Sequence, residues 1–140
     1  MATEVRGLRN NNPGNIRIST QIYTGEKTPS TDTAFKQFQS MAYGYRAMFV
    51  VLTTYFKKYG LNTISKIINR WAPPNENNTA NYIAKVSEWS GIPKDEVLSL
   101  TDGDKWIKIV AAMSRMENGV QAVFLDVENG FKLQTEIKKK

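Results

Sequence analysis

From Ser40 to Gly60 the chain reads "SMAYGYRAMFVVLTTYFKKYG", and its large apolar residues return every three or four positions. Tyr45, Met48, Phe49, Leu52, Tyr55, Phe56 and Tyr59 form one stripe, which predicts an amphipathic helix. Ser40 is placed to cap its first turn and Gly60 to end it. "TISKIINRW" predicts a second, shorter helix that Pro73 and Pro74 must terminate. "NENNTANYIAKVSEWSG" offers polar caps, then Tyr82, Ile83 and Val86 on one side, and a stop at Gly91. "PKDEVLSL" fits a short helix with proline in its first turn. "GDKWIKIVAAMSRMENG" predicts a longer helix, capped by Asp102 or Asp104 and ended by Asn118 and Gly119.

Residues 16 to 38 follow a different rhythm. They are rich in Thr and β-branched residues around a turn-like "TGEKTPS", which predicts a hairpin or small antiparallel sheet with Phe35 and Phe38 at its exit. Residues 120 to 140 leave strand, turn and short helix open. The expected fold class is therefore mainly α (α+β): a helical domain with a small N-terminal β-hairpin or sheet. A length of 140 residues without repeat or linker suits a single domain spanning 1–140.

Composition narrows the chemistry. With 41% apolar and 23% charged residues the chain is ordinary for a soluble globular protein. No apolar run reaches the roughly 18 residues needed to span a bilayer, so no membrane insertion is expected. "MATEVRGLRN" lacks the apolar core of a secretory signal. The absence of cysteine and histidine excludes disulfides, thiolate nucleophiles, Ser-His-Asp triads and the commonest zinc ligands. Carboxylates, hydroxyls, amides, Lys and Arg remain, and no metal or organic cofactor is implied. A formal charge of +6 favours polyanionic partners: nucleic acid, an anionic membrane surface or an anionic cell wall. The basic residues are spread along the chain without a recognition-helix or stacking pattern, so no specific nucleic acid is expected. The terminal "KKK" reads either as a solvated end or as a surface adhesive.

One carboxylate stands out by position. Trp106, Val110, Met113 and Glu117 occupy one face of the last long helix, three apolar residues and then an acid. The pattern points Glu117 inward at the helix C-terminus, where burial and the negative end of the dipole both disfavour its charged form. A general acid needs that property. The plainer role is a helix-end carboxylate paired with Arg115 or a lysine.

Two resemblances bear on the choice. "IVAAMSRMENG" resembles the helix-ending Glu-Asn-Gly or Glu-Ser-Gly signature of the lysozyme superfamily, which includes lytic transglycosylases and cell-wall glucosaminidases. "NNPGNIR", "YTG", "FKQF" and "GYRAMFVVLTTY" together are similar to a glucosaminidase stretch. In those families the glutamate helix precedes the Asn-rich segment, whereas here it follows by about a hundred residues. A circular permutation of a lysozyme-like domain accounts for the order. The stretch from "RGLRNNNPGNIR" to "WAPPNENNT" also resembles small lysozyme-like proteins of phages and prophages, often described as virion structural proteins.

The resemblance implies a peptidoglycan-cleaving glycosidase in which Glu117 is the catalytic acid and Asn12, Asn15, Tyr23 and Trp71 bind the glycan. Amides suit hydroxyl and N-acetyl groups because they both donate and accept; the Asn/Pro/Gly run also fits a turn whose amides serve its own backbone. Trp71 reads equally as a stacking platform or a hydrophobic plug. "ENGVQAVFLDVENG" looks like the Glu-to-Asp stretch of phage lysozymes, which makes Asp126 a candidate second carboxylate; a cap or surface role is its alternative. Glu76 is a further option whose plain role is helix capping. Lytic transglycosylases work with one Glu because the substrate assists, so a lone acid is compatible with cleavage. The implied partners are peptidoglycan and other virion proteins. The implied location is the host cytoplasm before lysis, or the virion. The rival expectations are a virion structural or glycan-binding protein without turnover, and a nucleic-acid binder suggested by charge alone.

Overall fold

The computed structural model describes residues 5–75 and 77–139. Among them, helices α1 (Arg6–Arg9), α2 (Met41–Tyr59), α3 (Ile64–Trp71), α4 (Thr79–Ser90), α5 (Gly103–Asn118) and α6 (Phe124–Leu133) surround one core, and two short strands form a sheet. The mainly α (α+β) class expected from the sequence is what the chain adopts.

The apolar stripe of α2 runs through the centre. Tyr45, Met48, Phe49 and Leu52 are buried, and exposure rises along the helix until Tyr59 is at the surface. Its ends obey local chemistry. The Ser40 hydroxyl accepts from Tyr43 N, and Gly60 adopts a left-handed φ of 67°, which glycine enters without the Cβ penalty. α6 lies along α2, and α5 packs on α4. Gly130 permits the first contact, since a Cβ there would come within 2.5 Å of Tyr45 Cβ. Phe49 meets Phe131 edge to face at 5.5 Å between centroids. Trp106, fully buried on α5, sends its indole N–H to the Ser99 carbonyl at 2.8 Å.

One predicted helix is not formed. "PKDEVLSL" makes a single turn, with Glu96 N on the Pro93 carbonyl, and then continues without regular structure. Leu98 explains why: it is 2% exposed, and its N–H donates to the Asn62 carbonyl. Burial of that side chain and a tertiary hydrogen bond outweigh the weak helical tendency of eight residues. The open segment after residue 120 resolves into α6. The tail then docks, with Ile137 buried and Lys138 N bonded to the Leu100 carbonyl. Lys138 and Lys139 remain on the surface, where Lys139 lies 3.5 Å from Asp104.

The β element is small. β1 (Glu26–Lys27) pairs antiparallel with β2 (Gln37–Phe38), in register Glu26 with Phe38, and Arg17 bridges Phe35 alongside. Two polar anchors hold this subdomain more than the strands do. Lys36 is 0% exposed, with Nζ 3.0 Å from Glu26 Oε2 and 2.8 Å from the Gln21 carbonyl. Asp32 takes both ends of the Arg6 guanidinium at 2.7 and 2.6 Å and also accepts from Asn10, Ala34 N and Phe35 N.

The Arg6 hydrogen bonds, then the backbone donors, hold the Asp32 carboxyl far below its ordinary value. A depressed folded-state value contributes stability that is whole above the unfolded carboxyl value of about 3.9 and is lost as pH falls below it. Asp32→Asn is therefore expected to lower the urea midpoint most at about pH 6, with the gap to wild type closing towards about pH 2. A gap of constant size across that range would show that the carboxylate charge is not what ties α1 to the hairpin.

Candidate active site

The Asn-rich loop shows what each amide does. Asn11 and Asn15 take positive φ angles of 53° and 50°. Asn enters this region more readily than other residues with a Cβ. Asn12 is fully buried, and its amide donates to the Ile16 and Lys36 carbonyls while accepting from Ile16 N. The expected glycan-binding role of Asn12 is thus corrected: both ends of its amide are consumed in closing the turn and fastening it to β2. Asn11 donates to the Phe38 carbonyl at 3.2 Å. Only Asn15 turns outward to the open side of the loop, and it does so directly at Glu117.

Asn15 Nδ2 donates to Glu117 Oε1 at 3.1 Å across 102 residues of sequence. Trp71 Nε1 donates to Oε2 at 3.3 Å and the Tyr82 hydroxyl to the same oxygen at 2.8 Å. Glu117 is half-buried, on the stripe set by Trp106, Val110 and Met113, so the spacing argument put it on the right face. Arg115 is not its partner; that guanidinium lies 4.1 Å over the Trp89 ring. Trp71 is no simple plug either, because its polar edge faces the carboxylate.

Tyr82 was legible only as part of the apolar side of α4. A tyrosine on a buried face must find a partner for its hydroxyl, and that rule was the available signal. Burial raises its pKa well above the ordinary value, and the nearby Glu117 charge and hydrogen bond raise it further. Tyr82 therefore stays protonated and remains a donor. Tyr82→Phe should cost about 1 kcal/mol in denaturant unfolding, the low end for a lost hydrogen bond because Glu117 keeps two other donors. A variant as stable as wild type would mean that the bond adds nothing net.

Asn118 ties the same corner together. Its Nδ2 donates to the Pro13 carbonyl at 2.8 Å and to Ser114 O at 2.9 Å, clamping the Asn loop to the end of α5. Gly7 beneath them is forced to be glycine, since a Cβ would collide with Asn118 Oδ1 and lie 2.7 Å from Asn15 Oδ1. Gly44 does the same from α2, where a Cβ would strike the Asn11 carbonyl oxygen and reach 2.6 Å from Pro13 Cδ.

Glu117, Asn15, Trp71 and Tyr23 all line an open groove of about 610 Å³. Tyr23 is half-buried, and Lys36 Nζ lies 5.6 Å from its ring centroid. Its N–H donates to Glu26 Oε1, so the buried ion pair also fixes this wall. Asp126 does not line the groove. It sits in the first turn of α6, and its field is felt by buried Tyr45. Glu117 is therefore without the expected second carboxylate among the residues that line the groove. Glu76 lies outside the described residues.

Chemically the groove offers one carboxylate held by three donors, the side-chain amides of Asn15, Gln21 and Asn77, three cations and several aromatic faces. Among the described residues no cluster of His, Cys, Asp or Glu suits a metal ion. No helix among the described residues is long and apolar enough to cross a membrane.

No family model matches the sequence. Protein P5 of Pseudoalteromonas phage PM2 is 40% identical over 130 residues, spanning 90% of this chain and 79% of that protein. At that identity and coverage the chain belongs to the family of this phage protein.

Proposed function

We propose that this protein is a virion-carried lysin of a phage or prophage, which grips bacterial peptidoglycan in the groove and cuts its glycan backbone with Glu117 as general acid. The supporting observation is the convergence of Asn15, Trp71 and Tyr82 on a carboxylate at the floor of an open groove. Kinship to a phage protein supports the phage setting of this reading. In this reading Glu117 gives its proton to the bridging oxygen as the glycosidic C–O bond breaks, and the leaving sugar departs as an alcohol. The resulting carboxylate then takes the proton of the attacking hydroxyl, from water or from the sugar itself. With no second carboxylate among the described groove residues, attack assisted by the substrate is the simpler completion.

A second reading has its own support. Donors on both oxygens of Glu117 also suit a carboxylate that only holds ligand, and a structural role in the virion needs no turnover. Purified walls incubated with the protein, then examined by mass spectrometry, separate the two. New reducing or anhydro ends support the lysin. Unchanged walls that retain the protein support the glycan-holding virion component, and walls that neither change nor retain it remove both.

A further inference from the structure

The groove holds charge that the cleavage reading leaves unused. Arg17, Lys58 and Arg70 line it, against the single carboxylate of Glu117. Among the described residues none of the three forms an ion pair, although Lys57, next to Lys58, is paired with Glu136. Arg70 is held in place: its guanidinium lies 3.8 Å from the Tyr59 ring centroid and 5.3 Å from that of Tyr55. Arg17 lies 5.4 Å from the Phe35 ring centroid on the opposite wall. Stacking orients a guanidinium plane, and the part of the Arg70 edge not turned to the Tyr55 hydroxyl is available to an anion. The charge is also segregated by element. The cations come from the hairpin and from the last turns of α2 and α3, whereas Glu117 comes from the last turn of α5.

We infer that Arg17, Lys58 and Arg70 form a subsite for a carboxylate carried by the glycan, so that the groove prefers an amino-sugar chain bearing acidic substituents to a neutral one. This rests on the reading that the groove takes an amino-sugar chain at all. A phosphodiester chain fits less well, because its evenly spaced charges would also face Glu117. A glycan presents neutral hydroxyl and N-acetyl groups there and its carboxylate to the cations. Arg70, with its fork fixed by two rings, is the residue suited to bidentate recognition.

The test compares two soluble ligands on full-length protein carrying Glu117→Gln, so that neither is cut. One is the neutral N-acetylglucosamine tetramer. The other is the tetramer of alternating N-acetylglucosamine and N-acetylmuramic acid with free carboxylates. Calorimetry should show about a tenfold preference for the acidic chain at low salt, shrinking as salt rises. Arg70→Gln should reduce that preference, and adding Arg17→Gln and Lys58→Gln should bring it to within about twofold. Equal affinity for both chains, or a preference that survives the triple substitution, overturns the subsite while leaving the glycan reading intact. Binding of neither sugar, with retention of a thymidine decanucleotide through the same three residues, overturns the glycan reading itself.

Discussion

Replacing Glu117 with Gln is expected to slow the clearing of cell-wall suspensions by about 10²–10⁴-fold, the range a positioned general acid contributes. The substitution keeps the shape of the side chain and removes only the proton that is transferred. The new amide oxygen can still accept from Tyr82 and Trp71, which now donate to Oε2 at 2.8 and 3.3 Å. The new amide nitrogen would face Asn15, whose Oδ1 is buried without a hydrogen-bond partner among the described residues, and an amide flip would offer that oxygen. Stability should therefore change by no more than about 1 kcal/mol. The comparison is turbidity loss of purified walls with wild-type and variant protein at matched folded fraction. Equal clearing by both would sink Glu117 as the acid.

Gly44→Ala should destabilise the fold by about 3 kcal/mol, the upper end for an overpacked site. At an exposed helix position the same change would instead stabilise by up to about 1 kcal/mol. The sign reverses here because the added methyl would strike the Asn11 carbonyl and crowd Pro13 Cδ. Asn11 cannot yield easily, since its φ is 53° and its amide is bonded to the Phe38 carbonyl. Relief by shifting the loop would carry Asn15 away from Glu117. Gly60→Ala is the control. It has the left-handed φ but nothing within 4 Å, so about 1 kcal/mol of backbone strain is its whole cost. Chemical unfolding that ranks Gly60→Ala as the worse substitution would show that α2 and the Asn loop are not in forced contact.

Where a residue's role depends on its immediate neighbours, the sequence was readable. Ser40 and Gly60 bounded α2 correctly because caps act within one turn, and Gly91 and Gly119 ended α4 and α5 for the same reason. The inward face of Glu117 followed from the period of three apolar residues. The failures share a physical cause. Asn12 and Asn15 are equivalent as letters, and only the path of the turn decides which amide is spent on backbone. Leu98 drew a would-be helix open through a contact with Asn62, thirty-odd residues away. α1, four residues long, carries no periodic signal at all. Asp126 was a candidate partner for Glu117 because the intervening stretch resembles that of phage lysozymes, yet Asp126 is not among the residues that line the groove.

The bond between Asn15 and Glu117 also sets a clock on synthesis. The amide jaw leaves the ribosome early, whereas the carboxylate jaw exists only after another 102 residues have been joined. Contacts of such long span form late, once loop-closure entropy has been met by the rest of the core. A nascent or proteolytically halved chain owns one side of this contact or the other and cannot close it.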